Sequence, residues 1–218
     1  MKDVLLIVPT RTRPDSASEF YESFAQNSTI TDLVFALDDD DVEYPRIDGV
    51  MYEVNPRMGM NGTLNYVANK YADQYKYIAF MGDDHRVRTY GWDKKLVESI
   101  SNIENGIAYG NDLLQGENLP TAVLLDAHIV RNLGYMAPPR QKHLYLDDFW
   151  RDLGNYLKTL RYSGDVIIEH MHFTAGKSSV DELYQQVNAN DMYIHDQLAY
   201  REYLEDQLEI DINKLRNN

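Results

Sequence analysis

The run Tyr77-Ile78-Ala79-Phe80-Met81 contains no charged residue and stops abruptly at Gly82-Asp83-Asp84. A run this short and apolar predicts a central strand of a parallel sheet, buried on both faces, because alternation arises only where one face meets water. Open α/β sheets place their ligands beyond the carboxyl ends of the strands, so Asp83 and Asp84 fall where a ligand is expected. Adjacent carboxylates there are costly to desolvate unless a cation or hydrogen-bond donors compensate them. Successive residues of an extended chain point to opposite sides, which lets one aspartate hold a metal while the other faces a ligand. Gly82 permits close backbone approach, and His85 follows at once. Oxygen ligands suit Mg²⁺ or Mn²⁺, and a nearby imidazole favours Mn²⁺. The pair alone also fits a solvated turn; its context points to a divalent-metal site for a phosphorylated substrate.

The rest of the chain alternates between strand and helix patterns. Val4-Val8 and Asp32-Leu37 read as strands, with a helix between them entered at Asp15 or Ser16 and running to about Gln26. A short strand near Val50-Val54 precedes a helix from Thr63 to about Ala72, which leads into the Tyr77-Met81 strand. Further on, a helix is predicted over Trp92-Ser101, strands over Gly106-Gly110 and Thr121-Leu125, and a short helix over Ala127-Leu133 closed by Gly134. A helix over Tyr145-Leu160 and a strand over Val166-His172 follow. Helical patterning resumes from Asp181, with Ile194, Leu198 and Leu208 expected on one apolar face. Such alternation predicts an α/β fold, a mixed and mostly parallel Rossmann-like sheet flanked by helices, over residues 1–185. Residues 186–218 read as a C-terminal helical extension packed on or beside it.

Composition narrows the function classes. The 218 residues are 44% hydrophobic and 26% charged, which is ordinary for one globular domain. With 35 acidic against 21 basic residues the formal net charge is −14, a field that disfavours a broad grip on duplex DNA. A local basic channel, or an anionic ligand held through a metal, remains compatible with it. The absence of cysteine excludes disulfides, thiolate catalysis and Cys-type zinc sites. The apolar stretch Val4-Val8 ends at Pro9, too short for a signal h-region or a membrane span, so a cytoplasmic protein without membrane contact is expected. Seventeen tyrosines supply aromatic surface for sugars or half-buried packing.

Four further groups carry candidate chemistry. Arg11 and Arg13 flank Thr12 in the loop after the first strand, where the guanidinium fork suits phosphate or carboxylate; surface ion pairing is the alternative. That loop holds neither G-x-G-x-x-G nor G-x-x-x-x-G-K-[ST], which removes the dinucleotide and P-loop readings. Asp38-Asp39-Asp40-Asp41 competes for the metal, but four like charges cannot share one small site. Asp38, nearest the strand end, is assigned to a base or ribose, and the others to solvent. Asp147-Asp148 either cap the next helix or supply the general base of a group transfer. His170 and His172 fall on one side of a strand by alternation and are candidate metal ligands.

In order and spacing, Val4 to Pro14, then Asp38, then Phe80-Met81-Gly82-Asp83-Asp84, resemble the nucleotide-binding half of family 2-like GT-A glycosyltransferases. The later stretches Leu144 to Trp150, Glu169 to His172, Lys177 and Asp181-Glu182-Leu183-Tyr184 are similar to the same group. This part looks most like compact glycosyltransferase-like proteins of tailed bacteriophages. The resemblance implies a nucleotide-diphosphate sugar donor, with a UDP-sugar favoured, and Mn²⁺ or Mg²⁺. It places Thr10, Arg11 and Arg13 around the nucleotide, Asp38 near the base, and Asp83 at the ribose or metal. Asp84 and His172 become metal ligands, and Lys177 a neutraliser of the diphosphate. Asp147, or less favourably Asp148, becomes the base of an inverting transfer. Gly82 departs from the family pattern, standing where many members carry the first acid of a three-acid run.

The expected activity is therefore metal-dependent transfer of a sugar to an acceptor hydroxyl. Two rivals are a nucleotidyltransferase that makes a sugar nucleotide, disfavoured by the lack of a glycine-rich first loop, and a non-catalytic, virion-associated binding module. The acceptor is expected to be a virion or other protein, a small molecule or a modified DNA base. Tyrosines on the C-terminal helix leave a homo-oligomer open.

Overall fold

A computed structural model describes residues 2–172, 176–177 and 189–217. Their elements run β1 (Lys2–Pro9), α1 (Pro14–Asn27), β2 (Thr31–Asp38), β3 (Met51–Asn55), α2 (Gly59–Tyr71), β4 (Tyr75–Phe80), β5 (His85–Val87), α3 (Trp92–Ile100) and β6 (Ile107–Asn111). There follow β7 (Val123–Asp126), α4 (Ala127–Leu133), α5 (Leu146–Leu157), β8 (Leu160–His170), α6 (Asn190–Glu202) and α7 (Leu208–Asn217). The stretch Asp181-Glu182-Leu183-Tyr184, and the onset of the last helical pattern, lie outside the described residues.

Among the described residues the strands form one mixed sheet in the order β3-β2-β1-β4-β7-β6-β8-β5. β3, β2, β1 and β4 are mutually parallel, β7 is antiparallel to both β4 and β6, and β8 is parallel to β6. The chain leaves β1 for β2 and β3 on one side and returns to β4 on the other. The carboxyl ends of β1 and β4 thus flank the switch point at which such sheets open a crevice.

Alternation along the central strands divides the core between the faces. Val4, Leu6 and Val8 of β1 point with Ala79 of β4 towards α1 and α3, meeting Phe20, Phe24, Trp92 and Leu96. Leu5 and Ile7 point with Ile78 and Phe80 to the other side, where Leu64, Val67, Trp150 and Leu153 cover them. Each fully buried aliphatic side chain of this kind stabilises the fold by roughly 1.5–3 kcal/mol relative to exposure. The buried carboxylate of Asp93 at the start of α3 accepts the N–H groups of Thr29 and Ile30, both at 2.7 Å, and clasps the turn into β2.

Several expectations shift. α1 starts at Pro14 with no side-chain cap; proline suits the first turn, and Ser16 instead donates its hydroxyl to the Asp83 carbonyl at 2.9 Å. α2 begins at Gly59 rather than Thr63, since its two glycines hide a helical turn from pattern reading. β8 begins at Leu160 and stops at His170, so His172 lies just past the strand. Its first half, polar around Gly164-Asp165, is held by pairing with Ile107–Gly110. The expected face of Ile194, Leu198 and Leu208 does not form: Ile194 and Leu198 are about half exposed, and only Leu208 is buried. The helix turns Asp196, Ala199 and Tyr200 inward instead, and a π-wound stretch at 203–207 shifts the face before Leu208, Ile212 and Leu215 bury. Tyr200 and Tyr203 join the core beside Phe149, and Tyr203 and Tyr135 both donate to the buried Asp211 carboxylate. No helix among the described residues is long and apolar enough to cross a membrane.

The junction of β6 with β8 depends on Gly110, where the register shifts. A Cβ there would sit 2.4 Å from the Val166 carbonyl oxygen. Gly110→Ala is expected to lower stability by about 1–3 kcal/mol. Urea unfolding should show a lower midpoint at an unchanged slope.

Candidate active site

The carboxyl ends of the parallel strands open into a cleft of about 640 Å³. One wall is the loop after β1. Thr10 is anchored to the sheet by its N–H to the Ala36 carbonyl, and its hydroxyl donates to Asp83 Oδ2 at 2.6 Å. Arg11 Nη1 reaches Asp38 Oδ2 at 2.9 Å and forks onto the Asp40 carboxylate. Asp41 takes the Thr12 N–H and the Tyr44 hydroxyl. The acidic run after β2, apart from Asp38 expected to face solvent, therefore shapes the arginine loop through Asp40 and Asp41. Arg13 approaches Asp83 Oδ1 at 3.5 Å.

The floor is Gly82-Asp83-Asp84-His85. The two aspartates do not lie in extended chain as expected: they sit in a turn closed by the His85 N–H to the Gly82 carbonyl at 3.1 Å, and the turn gives them different surroundings. Burial, with Asp84 adding repulsion, pushes the Asp83 carboxyl up to about 6. Asp84 also suffers burial, but the imidazoles of His170 and His85 beside it outweigh this and hold that carboxyl well below the usual range. Its oxygens lie 3.4 Å from His85 Nδ1 and 3.4 Å from His170 Nε2. Gly82 donates its N–H to His85 Nδ1 at 3.1 Å. A side chain at position 82 would bring its Cβ within 2.7 Å of Asp84 Oδ1 and 3.3 Å of His85 Nδ1. With glycine at this position the carboxylate and imidazole close on one another without either having to shift.

β5, a strand of three residues that pattern reading missed, explains the histidines. It pairs antiparallel with the end of β8, placing His85 opposite His170, and the two imidazoles stack at 4.2 Å. His172 lines the cleft with its ring 5.0 Å from that of His170. Arg86, also buried, donates to the carbonyls of Asp83 and His85 and fixes the floor from behind.

One ligand atom each from Asp84, His85 and His170 lies within 4.8 Å of the others. The separation of 3.4 Å between the Asp84 carboxylate and each of the two imidazoles matches a cation held at roughly 2.0–2.2 Å from its ligands. The ring nitrogens nearest Asp84 are His85 Nδ1 and His170 Nε2; the other two, His85 Nε2 and His170 Nδ1, are buried with no hydrogen-bond partner. A carboxylate with two imidazoles is a donor set that Mn²⁺ accepts more readily than Mg²⁺. The residues present thus fit a divalent cation. Of the ligands expected from sequence, Asp84 and His170 are in this cluster, His172 stands beside it, and Asp83 turns to Thr10 and Arg13. His85 completes it.

The opposite wall comes from residues 142–147 and α5. Asp147 lines the cleft, and burial together with the charge of Asp148 pushes its carboxyl up to about 6. Asp148 is turned aside into an ion pair with Arg151 at 2.8 Å. Trp150, beneath Asp147, is locked by its indole N–H to the Met136 carbonyl at 2.8 Å and packs on Phe80 at 5.3 Å. Burial lowers the His143 imidazole to about 4, which keeps it neutral. Among the cations, Arg11, Arg13, Arg57 and Lys142 line the cleft. Lys177 instead binds Glu169 Oε1 at 2.8 Å. Lys142, His143 and Arg57 carried no motif that reading along the chain could detect.

No protein-family model matches the sequence, and no curated protein matches it. Solved structures do match by fold. The mannosyltransferase PcManGT from Pyrobaculum calidifontis, in complex with GDP-Man and Mn²⁺, aligns with a TM-score of 0.59 at 10% identity, over 98% of this chain and 72% of that one. S. aureus TarS aligns at 0.56 and 14% identity over 94% of this chain, which spans 43% of TarS. Rv0371C of Mycobacterium tuberculosis H37Rv, in complex with manganese, aligns at 0.50 and 12% identity over 76% of this chain and 89% of that one. At such identities the likeness is one of architecture: the chain has a mixed α/β fold, mostly parallel and flanked by helices, of the kind these proteins share.

Proposed function

We propose that this protein is a metal-dependent glycosyltransferase that moves a sugar from a nucleoside-diphosphate sugar to an acceptor hydroxyl with inversion. The observation that carries this reading is the arrangement of one cleft: a basic loop beside Asp38 and Asp83, a carboxylate–imidazole cluster at the floor, and a proton-accepting carboxylate on the far wall. The complexes of PcManGT with GDP-Man and Mn²⁺, and of Rv0371C with manganese, support it by analogy of fold. A UDP-sugar is the proposed donor, with a GDP-sugar as the first alternative to assay.

Thr10, Arg11 and Arg13 line the nucleotide side, and Asp38 offers its carboxylate to the base or ribose. Asp83 faces the ribose. Asp84, His85 and His170, with His172 adjacent, would hold the divalent cation, which supplies positive charge against the leaving diphosphate. Asp147 accepts the proton of the acceptor hydroxyl as that oxygen bonds to the anomeric carbon. The bond from that carbon to the diphosphate oxygen breaks, and its electron pair leaves with the diphosphate. A carboxyl near 6 is suited to such a task at neutral pH. Asp148, committed to Arg151, keeps a charge near Asp147 that raises its proton affinity. Lys142 and Arg57 add positive charge at the cleft wall, a task for which Lys177 stands further back on Glu169. The net charge of −14 favours a protein, such as a virion protein, or a small molecule over duplex DNA as acceptor.

Turnover of UDP- and GDP-sugars with Mn²⁺ tests the reading. Asp84→Ala should lower it by about two to three decades. Asp147→Asn should lower transfer by about two to four decades while leaving nucleoside-diphosphate affinity intact. Donor turnover equal to wild type in Asp84→Ala at saturating Mn²⁺ would sink the cation assignment.

Asp83 predicts a stability signature. Its folded-state value is about 6, against about 3.9 for an unfolded aspartate. Below about pH 4 both states hold the proton. Between about pH 4 and 6 the unfolded chain releases it while the folded one keeps it, so stability falls as pH rises through this window. The deficit is complete above about pH 6 and on the order of 2–3 kcal/mol. Asp83→Asn, which keeps an acceptor for Thr10, should therefore raise the melting temperature at pH 8 in chelator and leave it unchanged near pH 4. Equal shifts at both pH values would contradict the assignment.

A further inference from the structure

Residues 142–147 form a continuous part of the cleft wall, yet until α5 begins at Leu146 they belong to no helix or strand. Three successive backbone N–H groups of this wall converge on one carboxylate. Lys142 N donates to Asp196 Oδ1 at 3.0 Å, and His143 N and Leu144 N donate to Asp196 Oδ2 at 2.9 and 2.8 Å. Asp196 comes from α6, more than fifty residues later in the chain, and is fully buried. Its neighbour His195 places Nδ1 2.8 Å from Asp196 Oδ1, leaving neither oxygen idle.

The same helix holds the next residue. Tyr145 has φ of +65°, a conformation costly for a bulky side chain. Its ring stacks on Tyr200 at 5.6 Å and meets the edge of Tyr193 at 6.2 Å. Tyr200 in turn donates its hydroxyl to Asp152 Oδ2 on α5 at 2.7 Å, and Met192 of α6 lines the cleft. Every backbone N–H from 142 to 144, and the ring that turns the chain into α5, is thus held by α6.

We infer that Asp196 is a positioning residue for the acceptor side of the site: α6 holds the wall that carries His143 and leads into Asp147. This rests on the glycosyltransferase reading for its functional half. A carboxylate is needed because three N–H donors must be met by acceptor-only oxygens. Asn at this position would turn an amide N–H₂ against at least one of them.

The test compares Asp196→Asn with Asp211→Asn. Asp211 is an equally buried C-terminal carboxylate whose partners are Tyr135, Tyr203 and Gln207, none in the wall. Amide hydrogen exchange at 142–144 should be at least tenfold faster in Asp196→Asn than in Asp211→Asn at matched global stability. UDP or GDP affinity with Mn²⁺ should fall by no more than about threefold, through the loosened backbone of Lys142, while sugar turnover falls at least tenfold. Unchanged exchange at 142–144, unchanged turnover, or nucleotide affinity that falls in step with turnover would each overturn the inference. If the wild-type protein binds neither nucleotide, the glycosyltransferase reading and the acceptor role fall together, and amide exchange still decides whether Asp196 holds the wall.

Discussion

Two carboxylates on successive residues, Asp83 buried and Asp84 partly so, set the terms for the rest of this fold. Asp83 and Asp84 repel strongly at low dielectric, and the chain accommodates them by giving each a different environment. Asp83 keeps its proton into the weakly acidic range and rests against Thr10. Asp84 stays ionised between His85 and His170. That division needs β1 to deliver Thr10 beside β4, a glycine at 82 to let Asp84 close on His85, and a second strand to bring His170 across. The parallel half and the irregular half of the sheet therefore meet at this pair.

β8 is the element that joins them. It begins as a parallel partner of β6, slips register at Gly110, and ends as the antiparallel partner of β5. The slip redirects the strand so that His170 faces His85, rather than continuing along the sheet. Bulges of this kind commonly re-aim a side chain next to a site. Asp112, just beyond Gly110, secures the arrangement: its carbonyl takes the His170 N–H at 3.0 Å, and its carboxylate caps the turn from Leu114 to Gly116.

What could be read along the chain was what local pattern controls. Buried central strands, the loop arginines and the acid pair all carry their signal within a few residues, and the structure places them at one crevice. β5 was illegible because three residues have no period, and it exists only through pairing with a strand more than eighty residues away. The start of β8 was hidden by Gly164-Asp165, whose strand conformation is imposed by β6. Asp40 and Asp41 looked like solvated charge, and only the folded loop shows that Arg11 and Thr12 reach them. Ile194 and Leu198 had the right spacing for a core face, but a π-wound stretch and a buried Asp196 turn another side of the helix inward. In each case a contact distant in sequence overrode a local preference.

The electrostatics of the cleft follow from the same long-range assembly. A chain with net charge −14 repels an anion over most of its surface. At the crevice, however, Arg11, Arg13, Arg57 and Lys142 gather around one opening, where they offset the carboxylates of Asp38, Asp83, Asp84 and Asp147 that line it too. Arg11 is paired with the carboxylates of both Asp38 and Asp40, so its charge goes into holding the loop. The remaining attraction is local and short-ranged, falling off within about 8 Å at physiological salt. Such a site admits a small anion that can enter the cleft and disfavours a polyanion that must also lie along the acidic exterior. On the glycosyltransferase reading, this separates a nucleotide donor from nucleic acid without any specific contact to either.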